Sequence, residues 1–240
     1  MAEQFSYSKI DTYKTCPYKY KLKYIDRIKE KLDNNIAIQK GSLVHKLLER
    51  KVNNETNVDD PELVELLHKL VKEDITKILK TTKKFIETPF FKSLDFSNAT
   101  TEEYFYLDTN LNPCLKPKAF MVGKIDYKEF KEDYILIIDW KTGKKTAKDI
   151  QLYKTDDLQL DLYALWALQK YPEYENINAM LYYVESEIFE EKLFCNNDID
   201  KLKEKIHSRI NEVRVADTFV RKLGTLCDYC YYFADYCNGK

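Results

Sequence analysis

Ala119-Phe-Met-Val-Gly123-Lys-Ile-Asp126-Tyr127 and Tyr134-Ile-Leu-Ile-Ile-Asp139-Trp-Lys141-Thr-Gly143 are the stretches that decide the fold. Each is a short run rich in β-branched and aromatic residues, bounded by polar residues, as strands are. Only a short polar turn around Lys131-Glu-Asp133 separates them. They therefore predict an antiparallel hairpin with an acid late in each strand. Upstream, Glu103-Tyr-Phe-Tyr-Leu107 is a further strand. Downstream, Asp156 to Lys170 carries Leu158, Leu162, Leu165, Trp166 and Leu168 as the apolar residues of a helix. Ala179–Val184 and Phe189–Phe194 follow as two more strands, and a helix capped by Asn197 or Asp198 runs to Val215. Helix, three strands, helix, strand predicts an α/β fold, a mixed sheet flanked by helices.

The N-terminal half is mostly helical in pattern. A strand or turn at Phe5 leads into a short helix with Ser6 or Ser8 as N-cap. Gly41 precedes Leu43, Val44, Leu47 and Leu48, whose spacing places His45 on a helix. Asp60-Pro61-Glu62 opens another, because Asp caps well and Pro suits the first helical position. Leu63, Leu67, Leu70, Val71, Ile75 and Ile78 continue it at helical spacing. Residues 51–100 thus form a helical insertion on a single domain, 1–240.

The 240 residues carry 39 basic and 40 acidic side chains, net −1, so the chain lacks the overall basic excess of many nucleic-acid binders. The excess is local. Between Lys9 and Lys31, Lys and Arg outnumber Asp and Glu, with Tyr13, Tyr18, Tyr20 and Tyr24 interleaved. That run is either a solvated helix face or a phosphate-tracking surface with aromatic platforms for bases. No apolar run approaches the roughly 20 residues of a membrane helix, and the first residues lack the pattern of a signal peptide. The expectation is a cytoplasmic protein without a membrane partner. In a reducing compartment, clustered cysteines more often hold metal than form disulfides.

Asp126 and Asp139, on neighbouring strands, can converge on a hard cation such as Mg²⁺ or Mn²⁺. Such a cation polarises a phosphate ester and acidifies a bound water. Lys141 lies two residues after Asp139, on the same strand face, where an ammonium can stabilise developing negative charge. His45 would favour Mn²⁺ if it binds directly. Glu49, one helical turn on, is a partner for it or an additional ligand. Gln159 and Tyr163, four apart, share a helix face beside these groups.

The ordered set Gly41-x-x-x-His45, Gly123-x-x-Asp126, Asp139-x-Lys141 and Gln159-x-x-x-Tyr163 resembles the RecB-like branch of the PD-(D/E)XK nuclease superfamily. The resemblance implies a metal at His45, Asp126 and Asp139, with the Trp140 carbonyl as an extra ligand. It implies Lys141 as the catalytic lysine and Gln159 and Tyr163 as DNA-contacting or site-organising residues.

Cys227-Asp-Tyr-Cys230 and Cys237 end the chain, and Cys16-Pro17 lies near its start; Cys114 and Cys195 are expected to be ordinary thiols. Four thiolates suit either Zn²⁺ or an iron–sulfur cluster. One N-terminal and three C-terminal cysteines around such a core are similar to the iron–sulfur nucleases, among them the AddB-type and CRISPR-associated adaptation exonucleases. That likeness implies [4Fe–4S] at Cys16, Cys227, Cys230 and Cys237. With residues 224–240 the cluster would close the tail onto the N-terminus. The function implied is a DNA exonuclease on single strands or duplex ends, in repair, recombination, phage DNA processing or CRISPR adaptation. A helicase or a recombination or adaptation protein would be its partner, since no G-x-x-x-x-G-K-[ST] motif is present. Two further readings are a non-catalytic DNA-binding or assembly subunit and a zinc-stapled structural protein.

Overall fold

The computed structural model describes residues 3–30, 36–57, 59–146 and 158–237. Strand β1 (Phe5–Ser6) leads into α1 (Tyr7–Thr15), which Ser6 caps by accepting the Lys9 N–H at 3.2 Å. After Cys16 come α2 (Pro17–Tyr20) and α3 (Ile36–Val52). Helices α4 (Pro61–His68), α5 (Lys72–Ile86) and α6 (Pro89–Lys92) precede the sheet. The remainder is β2 (Ala99–Leu107), β3 (Met121–Phe130), β4 (Tyr134–Lys141), α7 (Leu158–Lys170), β5 (Asn176–Tyr183), β6 (Ile188–Cys195) and α8 (Ile199–Arg214).

The six strands form one mixed sheet around β3. On one side β2 pairs antiparallel with β3, from Ala99↔Glu129 to Leu107↔Met121. On the other side β1 pairs in parallel with Met121 and Val122, and β4 pairs antiparallel with residues 127–130. Residues 123–126 lie in the gap between those two partners. Beyond β4, β5 is parallel and β6 antiparallel.

Helices cover both faces. Residues of α1, α7 and α8 form one core with Phe105, Ile125, Ile135, Ile137, Ile177 and Ala179. Residues of α3, α5 and α6 form the other with Tyr127, Leu136, Ile138, Trp140 and Met180. Strand β4 alternates between the two cores as a pleated strand must. Strand β3 does not: Ile125 and Tyr127, two residues apart, enter opposite cores. The strand turns over at Asp126. Helix α7 is buried almost all round, as its long apolar run requires. Its one fully buried carboxylate, Asp161, accepts hydrogen bonds from Lys192 and Lys205, each at 2.6 Å.

Gly41, the apolar positions after it and His45 all lie within α3. Two expectations need correction. The helix opened by Asp60 stops at His68, and α5 starts after an extended Val71. The break spans so few residues that the apolar spacing carries across it. The tyrosines of the basic run are largely packing residues: Tyr20 is 3% exposed and stacks on Phe219 with centroids 6.2 Å apart, and Tyr13 and Tyr24 pack on the same core. Lys21 and Lys23 of that run are paired with Asp26 and Glu30. Lys31 and Asp156, which bound two of the sequence readings, lie outside the described residues. Among the described residues no helix is long and apolar enough to cross a membrane.

Candidate active site

The site sits where β3 and β4 part. Past the Tyr127↔Ile138 pair, the Trp140 N–H donates to Asp126 Oδ2 at 2.8 Å, so a side chain occupies a place that a ladder bond would take. Further along the gap the Tyr163 hydroxyl lies 3.0 Å from the Lys124 carbonyl. Gly123 is required by its neighbour: a Cβ there would come within 2.2 Å of the Phe105 ring. Phe105 lies across that glycine and meets Tyr163 edge-on, with centroids 5.9 Å apart. Gly41 has a milder role, since a Cβ would sit 3.4 Å from Thr142 Oγ1.

Asp139 is 4% exposed and fully engaged. Its Oδ1 accepts from Gln159 Nε2 at 2.6 Å and lies 2.8 Å from the Tyr163 hydroxyl. Its Oδ2 is 2.7 Å from Lys141 Nζ, which also donates to Gln159 Oε1 at 2.8 Å. Gln159 Nε2 is 2.7 Å from the Tyr163 hydroxyl. The four residues close one hydrogen-bonded ring, in which the Lys141 side chain is 31% exposed and that of Asp139 6%. Burial raises the Asp139 pKa above the usual carboxylate value; Lys141 opposes the rise and nearby Asp126 adds to it. Burial also holds the Tyr163 hydroxyl well above its usual pKa, with the Asp139 and Asp126 charges adding to the rise.

His45, on α3, places Nδ1 3.3 Å from Asp126 Oδ1. Burial alone would lower its pKa. The hydrogen bond and charge of Asp126, the charge of Asp139 and a hydrogen bond to the Trp140 carbonyl together raise it. The Trp140 backbone thus serves both residues: its N–H donates to Asp126, and it helps raise the His45 pKa.

Among the described residues one group of three brings metal-ligating atoms within 4.8 Å of one another: His45, Glu102 and Asp126. Two carboxylates and an imidazole suit a divalent cation, so these residues fit the metal that the motifs imply. Asp139 is outside this group, its oxygens held by Lys141, Gln159 and Tyr163. Glu49, expected beside His45, instead pairs with Lys46 at 3.1 Å, though it lines the same cleft. Glu102 was not among the expected residues. It faces Asp126 across β2 and β3, between the pairs Thr101↔Tyr127 and Glu103↔Ile125. Only the pairing register reveals that. Its φ is 54°, a left-handed backbone inside a strand, which costs a non-glycine residue about 1–3 kcal/mol.

Cys16, Cys227, Cys230 and Cys237 are free thiols in this structure. Burial raises the Cys237 pKa; Arg221 opposes the rise, and Cys230, Cys16 and Cys227 add to it. The C-terminal segment touches the N-terminal one at several points. The Tyr232 hydroxyl donates to the Ile28 carbonyl at 2.8 Å, Lys222 Nζ to the Lys14 carbonyl at 2.8 Å, and the Tyr18 N–H to the Val220 carbonyl at 3.2 Å. Cys114 sits beside an isolated bridge and Cys195 ends β6.

The sequence model of the PD-(D/E)XK nuclease superfamily matches residues 4–238. Among solved structures, the chain is similar to the Eubacterium rectale protein named “Putative exonuclease”. The two share 12% identity with a TM-score of 0.52, over 95% of this chain and 92% of that one. That likeness is one of fold. The structure of SSO0001 aligns over 85% of this chain and 96% of that one at 13% identity, with a TM-score of 0.33, too low to argue from.

Proposed function

The chain belongs to the PD-(D/E)XK nuclease superfamily, and on that footing we propose that it is a divalent-metal-dependent DNA exonuclease. Its substrate in this reading is single-stranded DNA or duplex ends, and its setting is recombination, repair, phage DNA processing or CRISPR adaptation. The supporting observation is the Lys141 ammonium, shared between Asp139 Oδ2 and Gln159 Oε1 beside the Asp126 carboxylate. His45, Asp126 and Asp139, with the Trp140 carbonyl, would hold Mg²⁺ or Mn²⁺, and the ion would polarise the phosphate and acidify a bound water. Asp126 is kept in place by the Trp140 N–H. Lys141 offers its charge to the phosphorane-like transition state, where a fixed donor is worth most. Gln159 and Tyr163 hold Asp139 and Lys141 in register, so little reorganisation accompanies the reaction.

The cysteines enter the same proposal as a [4Fe–4S] cluster at Cys16, Cys227, Cys230 and Cys237, in preference to Zn²⁺. It is supported by the contacts that Tyr232 makes with Ile28 and Lys222 with Lys14. A helicase or adaptation protein would supply unwinding.

The test is digestion of end-labelled linear and of circular DNA, single- and double-stranded, with Mg²⁺ or Mn²⁺. Loss of end label from linear substrates with circles left intact is the expected result. Cutting of circles at the same rate would exclude an exonuclease, and no cutting of any substrate with either ion would favour a binding subunit.

A further inference from the structure

We propose that Glu102 is a ligand of the divalent cation, contributed by β2 between His45 and Asp126. The inference rests on the metal-dependent reading above and adds a residue to it. Three observations carry it. First, a Glu102 oxygen, an Asp126 oxygen and a His45 ring nitrogen lie within 4.8 Å of one another, a spacing that one cation can bridge. Secondly, Glu102 stands directly across from Asp126 at the point where β3 turns over. Strand β2 turns over with it: Phe105 and Leu107 belong to the α7 core, whereas Ala99 packs on the α3 core. The left-handed backbone of Glu102 lies between. A glycine would adopt that φ without strain; this chain has a glutamate, and its carboxylate reaches the cleft lined by Gly41, His45, Lys124 and Asp126. Thirdly, the Lys124 ammonium forms an ion pair with that carboxylate. Lys124 thus neutralises a charge that a bound cation would also neutralise. Glu102 would add a carboxylate oxygen beside His45 and Asp126, while the oxygens of Asp139, the other proposed carboxylate ligand, are here engaged by Lys141, Gln159 and Tyr163.

The experiment is a Mn²⁺ titration of the full chain followed by the electron paramagnetic resonance of free Mn²⁺, without DNA and without turnover. Asn tolerates left-handed backbone, so Glu102→Asn removes the carboxylate and keeps the fold. We expect it to weaken Mn²⁺ binding by roughly tenfold or more, the size seen when a metal's immediate surroundings are disrupted. Glu49→Gln, in the same cleft but paired with Lys46, should leave binding within about twofold. Glu102→Gly should raise the melting temperature of the chelated protein while weakening Mn²⁺. Mn²⁺ affinity in Glu102→Asn equal to wild type overturns the assignment and leaves the nuclease reading standing. So does an equal loss in Glu49→Gln, or a lower melting temperature in Glu102→Gly. A wild-type chain that binds no Mn²⁺ overturns both this inference and the metal-dependent reading.

Discussion

At the residue scale the ring of Asp139, Lys141, Gln159 and Tyr163 concentrates consequence in single atoms. Lys141→Ala removes the only side-chain cation in the ring and leaves the buried Asp139 carboxylate with neutral donors. We expect DNA cleavage to fall by more than about a hundredfold, as when a preorganised transition-state donor is lost, with the fold retained by circular dichroism. Cleavage at the wild-type rate would mean the reacting phosphate lies elsewhere. Asp139→Asn should also abolish cleavage yet still bind DNA, because a carboxylate repels phosphate; a gel-shift assay decides it. His45 gives a pH signature in the chelated protein. Its folded pKa is raised above the ordinary value of about 6.5, burial being outweighed by Asp126, Asp139 and the Trp140 carbonyl. The folded state therefore holds the proton more tightly than the unfolded chain. That stabilisation is complete below about pH 6.5 and is lost as pH rises through the folded pKa. Denaturant titrations across this window should show wild-type stability declining and His45→Gln flattening the decline. An identical slope in the two proteins would remove His45 as the group responsible.

At the scale of elements, the β3–β4 fork is held open by packing. Phe105 occupies the space that a side chain at residue 123 would need, and Tyr163 fills the gap left by β4. Gly123→Ala should therefore destabilise the protein by about 1–3 kcal/mol, the usual cost of overpacking. It should lower cleavage as well, since Asp126 lies three residues on. Phe105→Leu in the same chain should recover part of the stability, the coupling expected of residues in contact. Chemical denaturation of the two single variants and the double variant measures this, and strict additivity would show that the ring is not what the glycine accommodates.

For the whole molecule, the contacts of consequence join residues 14–28 to residues 220–232. Tyr232, fully buried, is bonded to the Ile28 carbonyl, and Arg221 lies over the Tyr18 ring at 4.9 Å. A cluster at Cys16, Cys227, Cys230 and Cys237 would clip a loop of more than about 200 residues, and long closures restrict the unfolded chain most. Cys16→Ala or Cys227→Ala should lose iron and sulfide and lower the melting temperature of anaerobically purified protein. Cys114→Ala and Cys195→Ala should change neither. Full iron and sulfide in Cys16→Ala, with depletion in Cys114→Ala, would reassign the ligands, and stoichiometric zinc with no iron would replace the cluster.

The strands and helices were legible in the sequence because period and composition are local properties. Tyr134-Ile-Leu-Ile-Ile-Asp139 reads as a strand from its short β-branched run, and Asp60-Pro61 reads as a helix start from its cap. The four motifs were legible too, as residue types in a fixed order. What they do to one another was not. Glu102 meets Asp126 only through a register between strands more than 20 residues apart, and its left-handed backbone leaves no mark in its own letters. The burial of Tyr20 depends on Phe219, at the far end of the chain. Local sequence determines which elements form, because their hydrogen bonds and periodicity are satisfied within a few residues. Tertiary structure decides which side chains share a site, because contact between distant residues depends on how whole elements pack.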